Sequence, residues 1–97
     1  DKKKAFAARN NLAAVHRDRY SGKPDQADFT EAEKQIQNVL AVDTSNKLAY
    51  ENLARLYYDR GKTKDKSYKL LSQLVVTQAV RVLKTENEQS ADIYNLQ

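Results

Sequence analysis

The sequence predicts an all-α chain. Ala, Leu, Lys, Gln, Glu and Arg, the good helix formers, dominate its 97 residues. Two glycines and one proline are too little turn-making material for a protein of tight hairpins. Val and Ile never alternate with polar residues over a sustained stretch, as a half-buried strand requires.

The first helix is expected over residues 3–20, where Phe6, Ala8, Leu12, Ala13, Val15, His16 and Tyr20 make a broad stripe rich in small residues. Ser21-Gly22-Lys23-Pro24 ends it, with Gly22 suited to a left-handed cap and Pro24 unable to continue the helix. After a polar connection, Asp28 opens a second helix, and Glu31 three residues on completes a capping-box pattern. Phe29, Ala32, Ile36, Val39 and Leu40 recur along it at helical spacing.

Asp43-Thr44-Ser45-Asn46 is a short turn into a third helix, which carries Tyr50, Leu53, Ala54 and Tyr57 on one face and ends at Gly61. A polar, basic stretch follows. The fourth helix is expected over residues 65–85, with Leu70, Leu71, Leu74, Val75, Ala79, Val82 and Leu83 as its apolar set. Residues 86–89 read as a turn, and residues 90–97 as the stub of a fifth helix, with Ile93 and Leu96 packing back as a cap. Links this short favour antiparallel neighbours.

Composition excludes several kinds of chemistry. Without cysteine there is no disulfide, thiolate metal site or thiol catalysis, and the chain suits either cytoplasm or periplasm. No apolar run approaches the ~20 residues of a membrane span. There is no methionine, even at position 1, as in a domain excised from a longer protein. The net charge of +4 comes mainly from Lys2-Lys3-Lys4 and the basic stretch 62–69. Both read first as solvated segments, and second as a surface for nucleic acid or acidic lipid.

His16 is the only histidine, so neither a two-histidine metal site nor a histidine relay can be built. Asp18 and Ser21 beside it make poor material for a triad. No glycine-rich phosphate loop is present. Glu86, Glu88 and Asp92 lack the spacing of an oxygen-ligand cation loop and read as a solubilising group. No cofactor or metal is expected, and the chain reads as a non-enzyme.

Self-similarity is the more informative feature. Leu12-Ala13 followed by His16, Leu53-Ala54 followed by Tyr57, and Leu96 occupy equivalent places. Ala32, Ile36, Val39 and Leu40 are matched by Val75, Ala79, Val82 and Leu83 in the intervening helices. Residues 29–62 span the roughly 34-residue period of the tetratricopeptide repeat, and this pattern resembles that family. Insertions between His16 and Phe29 and between Gly61 and Val75 depart from it, as do the valines at 39, 75 and 82 where alanine is usual.

The resemblance implies antiparallel helix-turn-helix repeats stacked as a short right-handed superhelix. Residues 1–97 would form one domain, with about two repeats and the first turns of a third, cut from a longer array. It also implies a protein-binding scaffold that holds a partner polypeptide in the groove lined by the first helix of each repeat. Asn10, Arg17, Glu51, Asn52, Arg55, Tyr58 and Tyr94 are the residues so assigned, and helical periodicity places them opposite or beside the core positions. Arg55 and Tyr58 are of the types that anchor interfaces. Of the carboxylate clamp found in one subgroup, only Asn52 has a counterpart, so capture of a terminal carboxylate is not expected. Irregular, insert-bearing repeats also resemble scaffolds of bacterial envelope and motility complexes. Nucleic-acid binding ranks lower, since Tyr50 and Tyr57 belong to the core and Tyr20, Tyr58, Tyr68 and Tyr94 are scattered over different elements.

Overall fold

The computed structural model describes the backbone of residues 2–95 and the side chains of residues 4–85. Among them are four helices and no strand: α1 (Lys2–Gly22), α2 (Gln26–Val42), α3 (Lys47–Thr63) and α4 (Ser67–Asn95). The backbone of α3 approaches all three other helices, α1 lies against α2 and α3, and α4 lies against α3 alone.

That central place of α3 explains its wide buried face. Ala49, Tyr50, Asn52, Leu53 and Leu56 are all buried. Sequence periodicity centres the face on Tyr50, Leu53, Ala54 and Tyr57; the structure adds Ala49 and Leu56 and leaves Ala54 and Tyr57 only half-buried. On α2 the stripe Phe29, Ala32, Ile36, Val39 is buried as its spacing requires. Ala13, Ala32 and Ala49 are fully inaccessible, which lets the first three helices approach closely.

One end of the bundle is tied by an aromatic cluster drawing on every helix. Phe29 of α2 lies 5.5 Å from Tyr20, 6.2 Å from Tyr57 and 5.7 Å from Tyr68 between ring centroids. The guanidinium of Arg60 sits 4.1 Å from the Phe29 centroid and 5.0 Å from that of Tyr68. Its charge faces ring electrons while its stem is buried.

Several boundaries differ from expectation, each for a local reason. Gly22 is no left-handed cap, because no glycine has positive φ; α1 runs through it and stops where Pro24 disfavours helical backbone at Lys23. The α2 cap is Asp25, whose carboxylate accepts the Ala27 N–H at 2.8 Å, so Asp28 sits inside the first turn. Gly61 does not end α3, which continues to Thr63; a Cβ there would lie 2.6 Å from Cγ and 2.7 Å from N of Lys69. Asp65 precedes α4 and accepts both the N–H and the hydroxyl of Ser67, which holds its carboxyl below the usual range.

The expected turn at 86–89 is absent, and α4 is continuous to Asn95. Nothing in Thr85-Glu86-Asn87-Glu88-Gln89-Ser90 breaks a helix, since the segment has neither glycine nor proline. The fifth-helix stub therefore merges into α4, and the proposed cap by Ile93 and Leu96 lies outside the described side chains. Leu70, Leu71 and Leu74, expected in the core, are 60, 40 and 55% exposed. With α3 as its backbone neighbour and only Tyr68 reaching Phe29 of α2, α4 buries Ser72 and half-buries Tyr68, Val75, Ala79, Val82 and Leu83.

Candidate partner-binding groove

The residues assigned to a binding groove separate into two groups. Asn10 and Asn52 are buried, at 3% and 1% exposure, and cannot face a partner. Periodicity misplaces them because α1 packs against α3 as well as α2, so a second side of each helix is covered. The Asn52 amide donates to the Asn10 carbonyl at 3.2 Å, and the Asn10 amide donates to Asn46 Oδ1 at 3.1 Å. Asn46 is itself the α3 cap, accepting the Ala49 N–H. Arg17 donates from Nη1 to Asn52 Oδ1 at 2.6 Å and from Nη2 to Asp18 at 2.9 Å. These bonds tie α1 to α3 and fix the register of their contact, while Asn10 Oδ1 stays buried with no hydrogen-bond partner.

Above this layer the second group is open to solvent. Arg55 is exposed and Tyr58 is 50% exposed, one helical turn apart on α3. They share an open groove of about 500 Å³ with Arg17, Asp18 and Ser21 of α1, and with Asp59 and Lys62 of α3. Its charges are mostly paired: Arg17 with Asp18, and Lys62 with Asp59 at 3.8 Å. The Lys62 ammonium also lies 5.1 Å from the Tyr58 ring centroid. Arg55 has no ion pair among the described residues. Glu51 is exposed but stands outside this groove, 3.9 Å from Lys47. The side chain of Tyr94 lies outside the described residues.

Sequence reading missed Lys62, Ser21 and Ser72 as neighbours of this surface. Ser72 carries a readable signal: it falls on the 68–72–75–79 spacing, and its hydroxyl donates to the Ala54 carbonyl at 2.7 Å, bringing α4 close to α3. His16 bridges α1 to α2 through Nδ1 and Asp28 Oδ1, 2.8 Å apart, with Arg19 3.7 Å from the same oxygen. Tyr20 and Tyr68, available on sequence grounds for base stacking, are instead packed on Phe29. No described helix is long and apolar enough to cross a membrane. Comparison with known protein families, characterised proteins and solved structures finds no match to this chain.

Proposed function

We propose that this chain is a tetratricopeptide-type scaffold that holds a segment of a partner polypeptide across the faces of α1 and α3. The observation that carries the reading is the exposed Arg55–Tyr58 pair, set in an open groove whose floor is braced by the Arg17–Asn52–Asn10 bonds. A rigid floor lowers the ordering cost of binding, and Arg and Tyr offer large contact area with polar tips. The repeat part of the proposal draws support from the packing order: two helix pairs, α1–α2 and α3–α4, with α3 resting on both members of the first pair. A right-handed superhelix, and continuation as a longer array, belong to the same proposal.

The test compares two double variants in capture of partner polypeptides from a lysate, with folding checked by circular dichroism. Arg55→Ala with Tyr58→Ala is expected to abolish capture, whereas Lys34→Ala with Gln37→Ala, on exposed parts of α2, leaves it intact. Equal capture by both removes the groove as the functional surface. The competing reading, a basic surface for nucleic acid or anionic lipid, draws on exposed Lys62, Lys64, Lys66 and Lys69 around the α3–α4 turn. Binding of that kind weakens steeply with salt and depends on those lysines.

A further inference from the structure

The outward face of α4 carries leucines where helical packing asks for none. Leu70 and Leu74 fall two residues either side of the buried Ser72, so at about 100° per residue both point away from α3. With Leu71 they form an exposed cluster within little more than one turn. On the other flank of α4, Val76 and Val80 border a trough with Tyr50 and Ala54 of α3, where a following helix pair of the proposed array would stack. The leucines line neither that trough nor the polar groove. Repeat packing does not require them either. In the register that matches Val75 and Ala79 to Ala32 and Ile36, their counterparts on α2 are Ala27, Asp28 and Glu31.

Charge is placed as unevenly as the leucines. Residues 62–85 hold six basic side chains and one acid, Asp65, which is bonded to Ser67. The rest of the chain holds eleven basic side chains and twelve acidic ones. Lys64, Lys66 and Lys69 stand exposed at the leucine end of α4, and Arg81 and Lys84 stand exposed further along it. Arg81 is seven residues from Leu74 and shares its outer face. The acids of this helix, Glu86, Glu88 and Asp92, come only after residue 85.

We propose that the outer face of α4 docks on an anionic lipid surface, with Leu70, Leu71 and Leu74 in the acyl boundary and the basic side chains at the headgroups. The proposal goes beyond the polypeptide-binding reading, because it uses a face that the α1–α3 groove does not reach. Fluid lipid conforms to a protruding ridge, whereas a protein partner must bring a matching groove. The same stretch of a second copy would set basic residues against one another. A nucleic acid would use the lysines but leave three leucines in water, and burying those leucines in lipid adds the apolar term that charge alone lacks. Contact of this kind lies on the membrane and does not cross it, in keeping with the absence of a spanning helix among the described residues.

The intact chain is tested by flotation with vesicles of phosphatidylcholine alone or mixed with phosphatidylglycerol. Binding to the mixed vesicles is expected to be at least about ten-fold tighter than to the neutral ones, and to weaken as salt rises. Leu70→Ser with Leu74→Ser is expected to weaken it at least about ten-fold, and Lys64→Gln with Lys66→Gln to weaken it several-fold. All four sites are exposed, and circular dichroism checks that each variant stays folded. The chain has no tryptophan, so Leu74→Trp supplies a single reporter whose emission shifts to the blue when the ring enters the interface.

Absence of binding to the mixed vesicles, equal binding to both kinds, or an unshifted emission from bound Leu74→Trp would each overturn the proposal. Duplex DNA binding as tight as vesicle binding, and indifferent to Leu70→Ser with Leu74→Ser, would overturn it in favour of nucleic acid. Self-association in sedimentation that this leucine variant removes would overturn it in favour of a second copy. Arg55→Ala with Tyr58→Ala is expected to leave vesicle binding unchanged, and its loss there would move the lipid to the polar groove. The leucine variant is expected to keep polypeptide capture, so the two surfaces are scored separately.

Discussion

Arg17 donates from Nη1 to Asn52 Oδ1 at 2.6 Å, joining α1 to α3 across 35 residues of chain. The acceptor is 1% exposed, and its amide is spent on the Asn10 carbonyl. Asn52→Leu keeps roughly the same volume but strands an Arg17 donor and strips the Asn10 carbonyl of its second bond, leaving only the helical one, an expected cost of about 1–3 kcal/mol. Because Arg17→Met removes the stranded donor, the two substitutions should combine to less than their sum. Urea denaturation of the four proteins in the cycle checks this, and strict additivity would show that the bond carries no coupling.

The two glycines are expected to respond oppositely to alanine. Both have negative φ, so neither is needed for a left-handed turn. A Cβ at Gly22 meets nothing within 4 Å, and Gly22→Ala should stabilise by up to about 1 kcal/mol through lower unfolded-state entropy. A Cβ at Gly61 would sit 2.7 Å from the Lys69 backbone nitrogen, so Gly61→Ala must push α4 from α3 and should lower stability. Matching signs in thermal melts would contradict the close approach at Gly61.

Alanines separate by burial in the same way. Ala32 is fully inaccessible within the first three helices, and Ala32→Leu should overpack at a cost of about 1–3 kcal/mol. Ala54, the counterpart of the inaccessible Ala13 in the repeat pattern, is only half-buried and lines both open grooves, so Ala54→Leu has room and should cost much less. Denaturation midpoints rank the two. Equal losses would mean that α4 closes over Ala54 in solution.

The contrast between Ala32 and Ala54 marks how much was legible. Periodicity finds a helix face when one neighbour dominates, as on α2, where Phe29, Ala32, Ile36 and Val39 recur at helical spacing and are all buried. It fails on α3, which meets three neighbours: Leu56 falls outside the periodic face yet is buried, and Asn52 falls on the solvent side of that face yet is buried against α1. It fails in part on α4: Val75, Ala79, Val82 and Leu83 are half-buried beside α3, whereas Leu70, Leu71 and Leu74 have no helix to cover them. Of the two glycines that look like helix stops, Gly22 does end α1, whereas α3 runs on past Gly61 to Thr63, because Gly61 serves a close contact with Lys69 that exists only in three dimensions. Within the candidate groove, Arg55 and Tyr58 stand exposed as periodicity expects because no neighbouring helix covers them, and Arg17 lines the same groove; Asn10 and Asn52 do not, because each is covered by the helix that holds its partner.

Tyr57 offers a test of the α2–α3 contact by pH. Its hydroxyl donates to Glu33 Oε2 at 2.8 Å, and burial, then the bond and charge of Glu33, push the phenol's pKa well above its ordinary value of about 10. A group that holds its proton more tightly when folded adds stability that is full below the unfolded pKa. That contribution is lost as pH rises beyond it, because the unfolded chain sheds the proton first. Stability measured by urea should therefore fall above pH ~10, with Tyr57 supplying part of the slope. Tyr57→Phe is expected to cost about 0.5–1.5 kcal/mol near pH 7, through loss of the bond to Glu33. The same variant should flatten the alkaline limb, so that the difference from the parent shrinks as pH climbs. Parallel limbs for the two proteins would show that the Tyr57 phenol titrates alike in the folded and unfolded chains, and that Glu33 does not hold it.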